Sequence, residues 1–318
     1  DAEVHSSILA VRSLVLGPAD EIDATLTLNA LSRQAQCFKL AERLLLDPLD
    51  QLGSDINGAV FGFGLPTSLG LGLSQTIEES IPTTIDRLVT DAGSSFLPQY
   101  CGSHQQYTKM LVQKAGGVEM LNIQHRLYYA YVKHLWAMDH HDEALSRLAN
   151  LCDVVDMVSH CERKNSASGL RVACWLKLGE WKAIANPPGL PLPELLQVDV
   201  LTAYKRATYS SDCGYKAWHA WALINFRLAQ QNHESTISTS APGAARSRAA
   251  RPSRLLRNHV VAAVQGFVRA ITLGTKRWSA SVQQDMLNFL TCLFKYGEFA
   301  EVANMINASI SSVTLEAW

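Results

Sequence analysis

Two short strings in this chain nearly repeat one another. WLKLGEW at residues 175–181 and LFKYGEF at residues 293–299 share the order apolar, apolar, Lys, any residue, Gly, Glu, aromatic. A glycine at the end of an apolar helix can adopt the left-handed conformation that ends it. We therefore predict that Gly179 and Gly297 each form the turn of a helical hairpin. Because such a hairpin cannot bury both of its faces alone, repeats of it stack into a solenoid.

Two further stretches have the same pattern with other residues at the turn. Residues 31–48, which end in Asp-Pro, and residues 131–145 each contain an apolar helix end, a tight turn and the start of a second helix. Asp139 takes the place of glycine in the second, although aspartate tolerates the left-handed conformation less well. The turns predicted at Asp139 and Gly179 lie about 40 residues apart, which is typical of helical-hairpin repeats. With almost no strand-like alternation, the sequence predicts an all-α fold, an α-solenoid of antiparallel helix pairs.

Three segments interrupt the pattern and are predicted to be long irregular or disordered insertions. Residues 53–121 are rich in Gly, Ser, Thr and Leu; within them, residues 56–77 lack charge over a length that could span a bilayer. Their glycines and Pro66 favour an irregular loop instead. The proline-rich residues 186–193 cannot be helical. The Arg-, Ser- and Thr-rich residues 231–254 have the composition of a disordered linker.

Composition places the chain among globular proteins. It has 318 residues, 47% of them hydrophobic, and a net charge of −1, so the whole chain has no electrostatic bias towards nucleic acid or membrane. Its seven cysteines are odd in number and irregularly spaced, which predicts reduced thiols in a cytoplasmic protein. Since the chain begins with Asp1 rather than methionine, we expect it to be part of a longer protein.

One region has a strong charge bias. Residues 235–284 contain no acidic side chain but several arginines and lysines. One interpretation is a solvated linker followed by a helix with a basic edge. The other is a docking surface for an acidic partner, an inositol polyphosphate or RNA.

The stretch GYKAWHAWALINF at residues 214–226 contains the most unusual side chains. On a helix, residues 215, 219, 222 and 226 form one stripe, and residues 217, 221, 224 and 228 form another. Apolar bulk on two faces predicts a helix packed between neighbours. His219 is accordingly predicted to be a packing residue with a hydrogen-bond partner, because no carboxylate or nucleophile lies nearby in the sequence.

No motif for catalysis, metal binding or phosphate binding is present in the sequence. The densest metal-ligand candidates, His140-His141 and His160-Cys161, lack the spacing of a zinc site. The glycines at residues 62–72 lack the dinucleotide and P-loop patterns. Protein-kinase motifs are also absent from the chain.

Six motifs occur in an order that resembles the FAT domain of the target-of-rapamycin (TOR) kinases, within the phosphatidylinositol-3-kinase-related family. The resemblance covers residues 11–50 and 122–318. The motifs are RSLV at 12–15 with Asp47-Pro48, YAYVK at 129–133, CWLKLGEW at 174–181, YKAWHAW at 215–221 with Asn225-Phe226, AVQGFVR at 263–269 and LTCLFKYG at 290–297.

This resemblance implies the N-terminal part of a FAT domain, built from TPR-like and HEAT-like hairpins. It implies a non-catalytic segment of a serine/threonine kinase that clasps the kinase domain and presents surfaces to TOR-complex subunits, with no integral membrane segment and no nucleic-acid partner. It further implies an inositol hexakisphosphate site, with Lys177 and Lys216 at matching positions. Arg171 stands near the expected arginine, whose own position holds Ala173.

Two alternatives stay open at this point. One is a stand-alone TPR-type adaptor that binds peptide or protein partners. The other is a structural module that binds an inositol polyphosphate through its basic side chains.

Overall fold

The computed structural model describes ten helices and no strand in residues 7, 11, 18–51, 102–161, 168–186, 191–209, 214–239, 254–274 and 276–295. The helices are α1 (Pro18–Gln34), α2 (Phe38–Gln51), α3 (Gly102–Ala115), α4 (Val118–Ala137), α5 (His141–Cys161), α6 (Ser168–Ile184), α7 (Glu194–Thr208), α8 (Tyr215–Thr239), α9 (Arg254–Leu273) and α10 (Lys276–Lys295). The all-α prediction is confirmed. None of these helices is both long and apolar enough to cross a bilayer.

The chain divides into two compact units, the first formed by residues 1–70 and 98–174 and the second by residues 71–97 and 175–318. In the first unit, α1 and α2 form a hairpin that packs on α4, and α3 packs on α4 and α5. In the second unit, α8 packs on α7 and α9, and α9 on α10. Each unit buries its own apolar clusters, since the amphipathic faces of neighbouring helices meet.

Three turns in the first unit share one backbone conformation. Gln36, Gly116 and Asp139 have φ angles of 59°, 80° and 63° and follow the ends of α1, α3 and α4. In each case the next amide donates to a carbonyl five residues back, at 2.8–3.1 Å, as in a Schellman motif. The hairpins predicted in residues 31–48 and 131–145 are therefore confirmed, including the left-handed Asp139.

The turn predicted at Gly179 is wrong. Helix α6 continues through this residue to Ile184. A Cβ atom placed on Gly179 would lie 2.7 Å from the Tyr204 ring on α7, so the glycine permits close approach of two helices instead of ending one. The 40-residue period was inferred from the spacing between Asp139 and Gly179, so it is wrong as well. Gly297 lies outside the described residues.

Two of the predicted insertions contain helical residues in the parts that the structure describes. Residues 102–115 of the segment 53–121 form α3, because Leu111 and its apolar neighbours pack against α4 and α5. Residues 231–239 of the segment 231–254 continue α8, and the Gln231 side chain there bonds both backbone polar groups of Leu192. Residues 52–101, including the uncharged stretch, and residues 240–253 lie outside the described part.

The remaining expectations about local structure have mixed outcomes. Pro48 lies inside α2, which extends three residues beyond it to Gln51. Residues 191–193 are not helical, and α7 begins directly after Pro193. The four cysteines that the structure describes fully, Cys37, Cys152, Cys174 and Cys292, are free thiols.

Candidate functional site: the helices α8, α9 and α10

Helix α8 carries the stretch that the sequence singles out, and most of its bulk is buried. Ala217, Trp221, Ile224 and Leu228 are at most 5% exposed, which confirms the second predicted stripe. On the first stripe, Ala222 is fully buried, while Tyr215, His219 and Phe226 are half-buried. The prediction of a helix packed between neighbours is confirmed.

Helices α8 and α9 approach each other closely where two motifs meet. A Cβ atom on Gly266 of AVQGF would lie 2.9 Å from the Cβ of Ala222 and 3.0 Å from the carbonyl oxygen of Trp218. Only a glycine leaves room for this contact. One turn away, the guanidinium of Arg269 lies 4.4 Å from the centroid of a Trp218 ring, in a cation–π contact.

A buried polar pair fixes the register of the same two helices. The Nδ2 atom of Asn225 donates to the Trp221 carbonyl at 2.8 Å, so its Oδ1 atom accepts from Nδ1 of His259, also at 2.8 Å. Both side chains are fully buried. Burial lowers the pKa of His259 to about 4, so this imidazole is neutral and carries its proton on Nδ1.

His219 connects α8 with α10. Its Nε2 atom lies 2.8 Å from Oδ2 of Asp285, a carboxylate 66 residues away in the sequence. The predicted hydrogen-bond partner therefore exists, but its identity could not be read from neighbouring positions. The ring of His219 also contacts Phe267, with centroids 6.2 Å apart. Phe267 in turn contacts Phe289, which contacts Phe226.

A shallow groove of about 280 Å³ lies between α8 and α10. Its lining residues are Tyr215, Lys216, His219, Ala220, Leu223, Ser281 and Val282. Lys216 is exposed and makes no ion pair with any residue that the structure describes. No hydrogen bond joins Ser281 to His219 among the described residues.

The predicted phosphate-binding residues lie in different surroundings. Arg171 in the first unit is buried, and its Nε atom pairs with Asp156 Oδ1 at 2.5 Å. Lys177 in the second unit pairs with Glu180 at 2.7 Å. A polyphosphate would have to displace both carboxylates, and breaking a buried pair such as Arg171–Asp156 costs about 3–5 kcal/mol. Lys216 alone is exposed without an ion pair among the described side chains; binding by this set stays a prediction.

Metal ligation has no support in the described ranges, where no three His, Cys, Asp or Glu side chains cluster. His141 is the exposed first residue of α5; its Nε2 lies 3.6 Å from Asp139 Oδ1, and its ring centroid lies 4.2 Å from that of Trp136 in a tilted arrangement.

Helices joined by tight turns and packed through small, aromatic and amide side chains define an all-α protein built from helical hairpins. Residues 101–291, from just before α3 to late α10, match the FAT domain family. The chain belongs to the FAT domain family, and its resemblance to the FAT domain of TOR kinases is confirmed.

Curated relatives of the chain are TOR kinases. The chain is 26% identical to serine/threonine-protein kinase tor1 of Schizosaccharomyces pombe over 205 residues, which are 60% of this chain and 8% of that protein. It is 26% identical to serine/threonine-protein kinase mTor of Drosophila melanogaster over 204 residues, 61% of this chain and 8% of that protein. Identity to serine/threonine-protein kinase TOR of Oryza sativa subsp. japonica is 29% over 163 residues, 51% of this chain and 6% of that protein. The chain spans less than a tenth of the length of these relatives.

Proposed function

We propose that the chain is a non-catalytic helical scaffold within a TOR-like serine/threonine kinase of the cytoplasm. In this role it clasps the kinase domain of its parent chain and presents surfaces to subunits of the kinase complex in growth and nutrient signalling. The observation that carries the proposal is the family match across α3 to α10, whose motif residues are used for packing. Gly266, Ala222 and the Asn225–His259 pair hold helices α8 and α9 together.

Two glycine substitutions, made separately in the parent kinase, test the proposal. Gly266→Leu forces α8 and α9 apart, whereas Gly169→Leu is the matched control, because a Cβ at Gly169 meets no described atom within 4 Å. We expect Gly266→Leu to lower kinase activity and the amount of accessory subunit that copurifies, and Gly169→Leu to leave both unchanged. Normal activity and subunit content in the Gly266→Leu parent would contradict the scaffold function.

A second measurement addresses catalysis by the chain itself. The purified chain, incubated with labelled ATP, Mg²⁺ and a protein substrate, is expected to transfer no phosphate above a protein-free blank. Transfer that follows the chain through a final sizing column would show that it is an enzyme.

Binding of inositol hexakisphosphate is a second candidate function, and exposed Lys216 is the observation that favours it. Calorimetric titration at low salt should then give heat that is lost in the double variant Lys177→Glu, Lys216→Glu. Lys39→Glu together with Lys109→Glu makes the same charge change on exposed lysines of α2 and α3. No heat, or equal loss in both double variants, would remove this candidate. A stand-alone adaptor, the third possibility, requires that the natural reading frame lack a kinase domain.

A further inference from the structure

Two pairs of side chains join α5 and α6 within the first unit. Asp156 on α5 forms its buried ion pair with Arg171 on α6. One helical turn farther along each helix, the thiols of Cys152 and Cys174 are hydrogen-bonded to each other. Residue numbers fall on α5 as they rise on α6, so the two helices run antiparallel. The ion pair therefore fixes a register that keeps the two cysteines opposite each other.

Both members of this thiol pair are shielded from solvent. Cys152 and Cys174 are fully buried, and both are free thiols. Burial, together with the hydrogen bond to Cys174, raises the pKa of the Cys152 thiol well above its ordinary value. Because the thiolate is the form that reacts with oxidants, the pair is protected while α5 and α6 stay packed. Oxidation therefore requires that the two helices open locally.

We propose that a peroxide converts Cys152 and Cys174 into an intramolecular disulfide, which reversibly cross-links α5 to α6. In the opened chain one thiolate attacks a peroxide oxygen, the O–O bond breaks, and a sulfenic acid forms as water leaves. The second sulfur then attacks the sulfenic sulfur, which forms the S–S bond and releases another water. The two electrons lost by the sulfurs reduce one hydrogen peroxide to two waters, and a thiol reductant reverses the cross-link.

The cross-link has a measurable effect on stability. It closes a loop of 23 residues, from 152 to 174, and so restricts the unfolded chain. The oxidised chain should accordingly unfold at a higher urea concentration than the reduced chain, and dithiothreitol should restore the lower midpoint. Intracellular disulfides are usually transient and redox-sensing, so this pair would make the first unit respond to oxidants. The inference does not depend on the proposed scaffold function.

Peptide mapping of the 318-residue chain tests the proposal. After treatment with hydrogen peroxide, the remaining thiols are blocked with N-ethylmaleimide and the chain is cut with trypsin without reduction. We expect residues 148–163 to be linked to residues 172–177, in a product two hydrogen atoms lighter than the two peptides together. Residues 148–163 also contain Cys161, so Cys161→Ser is the matched control. It should keep this product, whereas Cys152→Ser should lose it.

Three results would overturn the proposal. One is oxidation of exposed Cys37 while Cys152 and Cys174 remain free thiols, even in urea just below the unfolding transition. Another is oxidation of the two buried sulfurs to separate sulfinic acids without an S–S bond. The third is a cross-linked chain whose urea midpoint is unchanged or lower. Circular dichroism shows whether Cys152→Ser is folded, and Cys152→Ala replaces it if the hydroxyl is not tolerated in the buried site.

Discussion

At the scale of single residues, the buried His259 makes stability depend on pH. Its pKa is about 4 in the folded chain, because burial disfavours the charged ring, against 6.5 when unfolded. Above pH 6.5 both states are neutral and stability is unaffected. Between pH 6.5 and 4 only the unfolded state takes up the proton, so this residue lowers the free energy of unfolding by about 1.4 kcal/mol per pH unit.

Urea unfolding at pH 7 and pH 5 measures this effect. His125 in the first unit has a pKa of about 4 for the same reason, so each histidine should remove about 2 kcal/mol over this interval. In His259→Gln, the decrease in the free energy of unfolding between pH 7 and pH 5 should be smaller by about 2 kcal/mol, which is the contribution of one histidine. An unchanged pH dependence in this variant would show that burial does not lower the pKa of His259 in the folded chain.

Gln36 offers a stabilising substitution, because a residue with a side chain holds a left-handed φ of 59° there. Glycine adopts this conformation without the roughly 1–2 kcal/mol that a Cβ costs, although it loses about 0.4–1 kcal/mol through a more flexible unfolded chain. Gln36→Gly should therefore raise the free energy of unfolding by about 0.5–1 kcal/mol in urea titration. Glycine at exposed Arg43, in the interior of α2, should lower it, and a lowered value for Gln36→Gly would contradict the turn geometry.

Single residues also show how much of the structure could be predicted from the sequence. Helical spacing predicted the buried face of Trp221, since that pattern is local. The partner of His219 is 66 residues distant, so no local pattern contains it. Gly179 was misinterpreted because the same residue serves to end a helix and to admit a neighbouring ring, and only the position of Tyr204 distinguishes the two. Lys177 was matched by motif and Arg171 only by its nearness to the expected arginine position, but the carboxylate partners of both depend on folding.

At the scale of elements, the close contact between α8 and α9 depends on the absence of a side chain at Gly266. Gly266→Ala would place a Cβ 2.9 Å from Ala222 and 3.0 Å from a backbone oxygen that cannot rotate away. Strain of this kind costs about 1–3 kcal/mol, which exceeds the roughly 1 kcal/mol that alanine gains over glycine in a helix. Thermal and urea unfolding should thus show net destabilisation.

Gly169→Ala is the control for this prediction, because nothing among the described atoms lies near its Cβ position. It should be neutral or slightly stabilising. If Gly266→Ala behaved in the same way, α8 and α9 would be farther apart than the structure places them.

Element boundaries were the least predictable part of the fold. Helix α3 lies in a segment whose glycines and serines suggested an irregular insertion, yet Leu111 is fully buried against its neighbours. The predicted linker at 231–254 begins inside α8, where Gln231 is held by the backbone of Leu192. In both cases tertiary contacts stabilise a helix that composition alone disfavours.

At the scale of the molecule, the basic charge of α8 to α10 is balanced elsewhere in a chain that is nearly neutral as a whole. The net charge of the whole chain therefore does not reveal this local excess of basic residues, which the absence of acidic residues at 235–284 indicates in the sequence. If this region associates with an acidic partner, the association should weaken with added salt, because exposed charges are screened over about 8–10 Å at physiological ionic strength.

The second unit is held together by one continuous cluster of buried side chains from α7 to α10, in which Trp221 is the largest that is fully buried. Trp221→Ala should lower the free energy of unfolding by about 3–5 kcal/mol, since the surrounding helices cannot close the cavity. Leu223→Ala on the same helix should cost less than about 1 kcal/mol, because its side chain faces solvent. Urea unfolding followed by circular dichroism compares the two, and an unchanged midpoint for Trp221→Ala would mean that α8 is not the centre of this core.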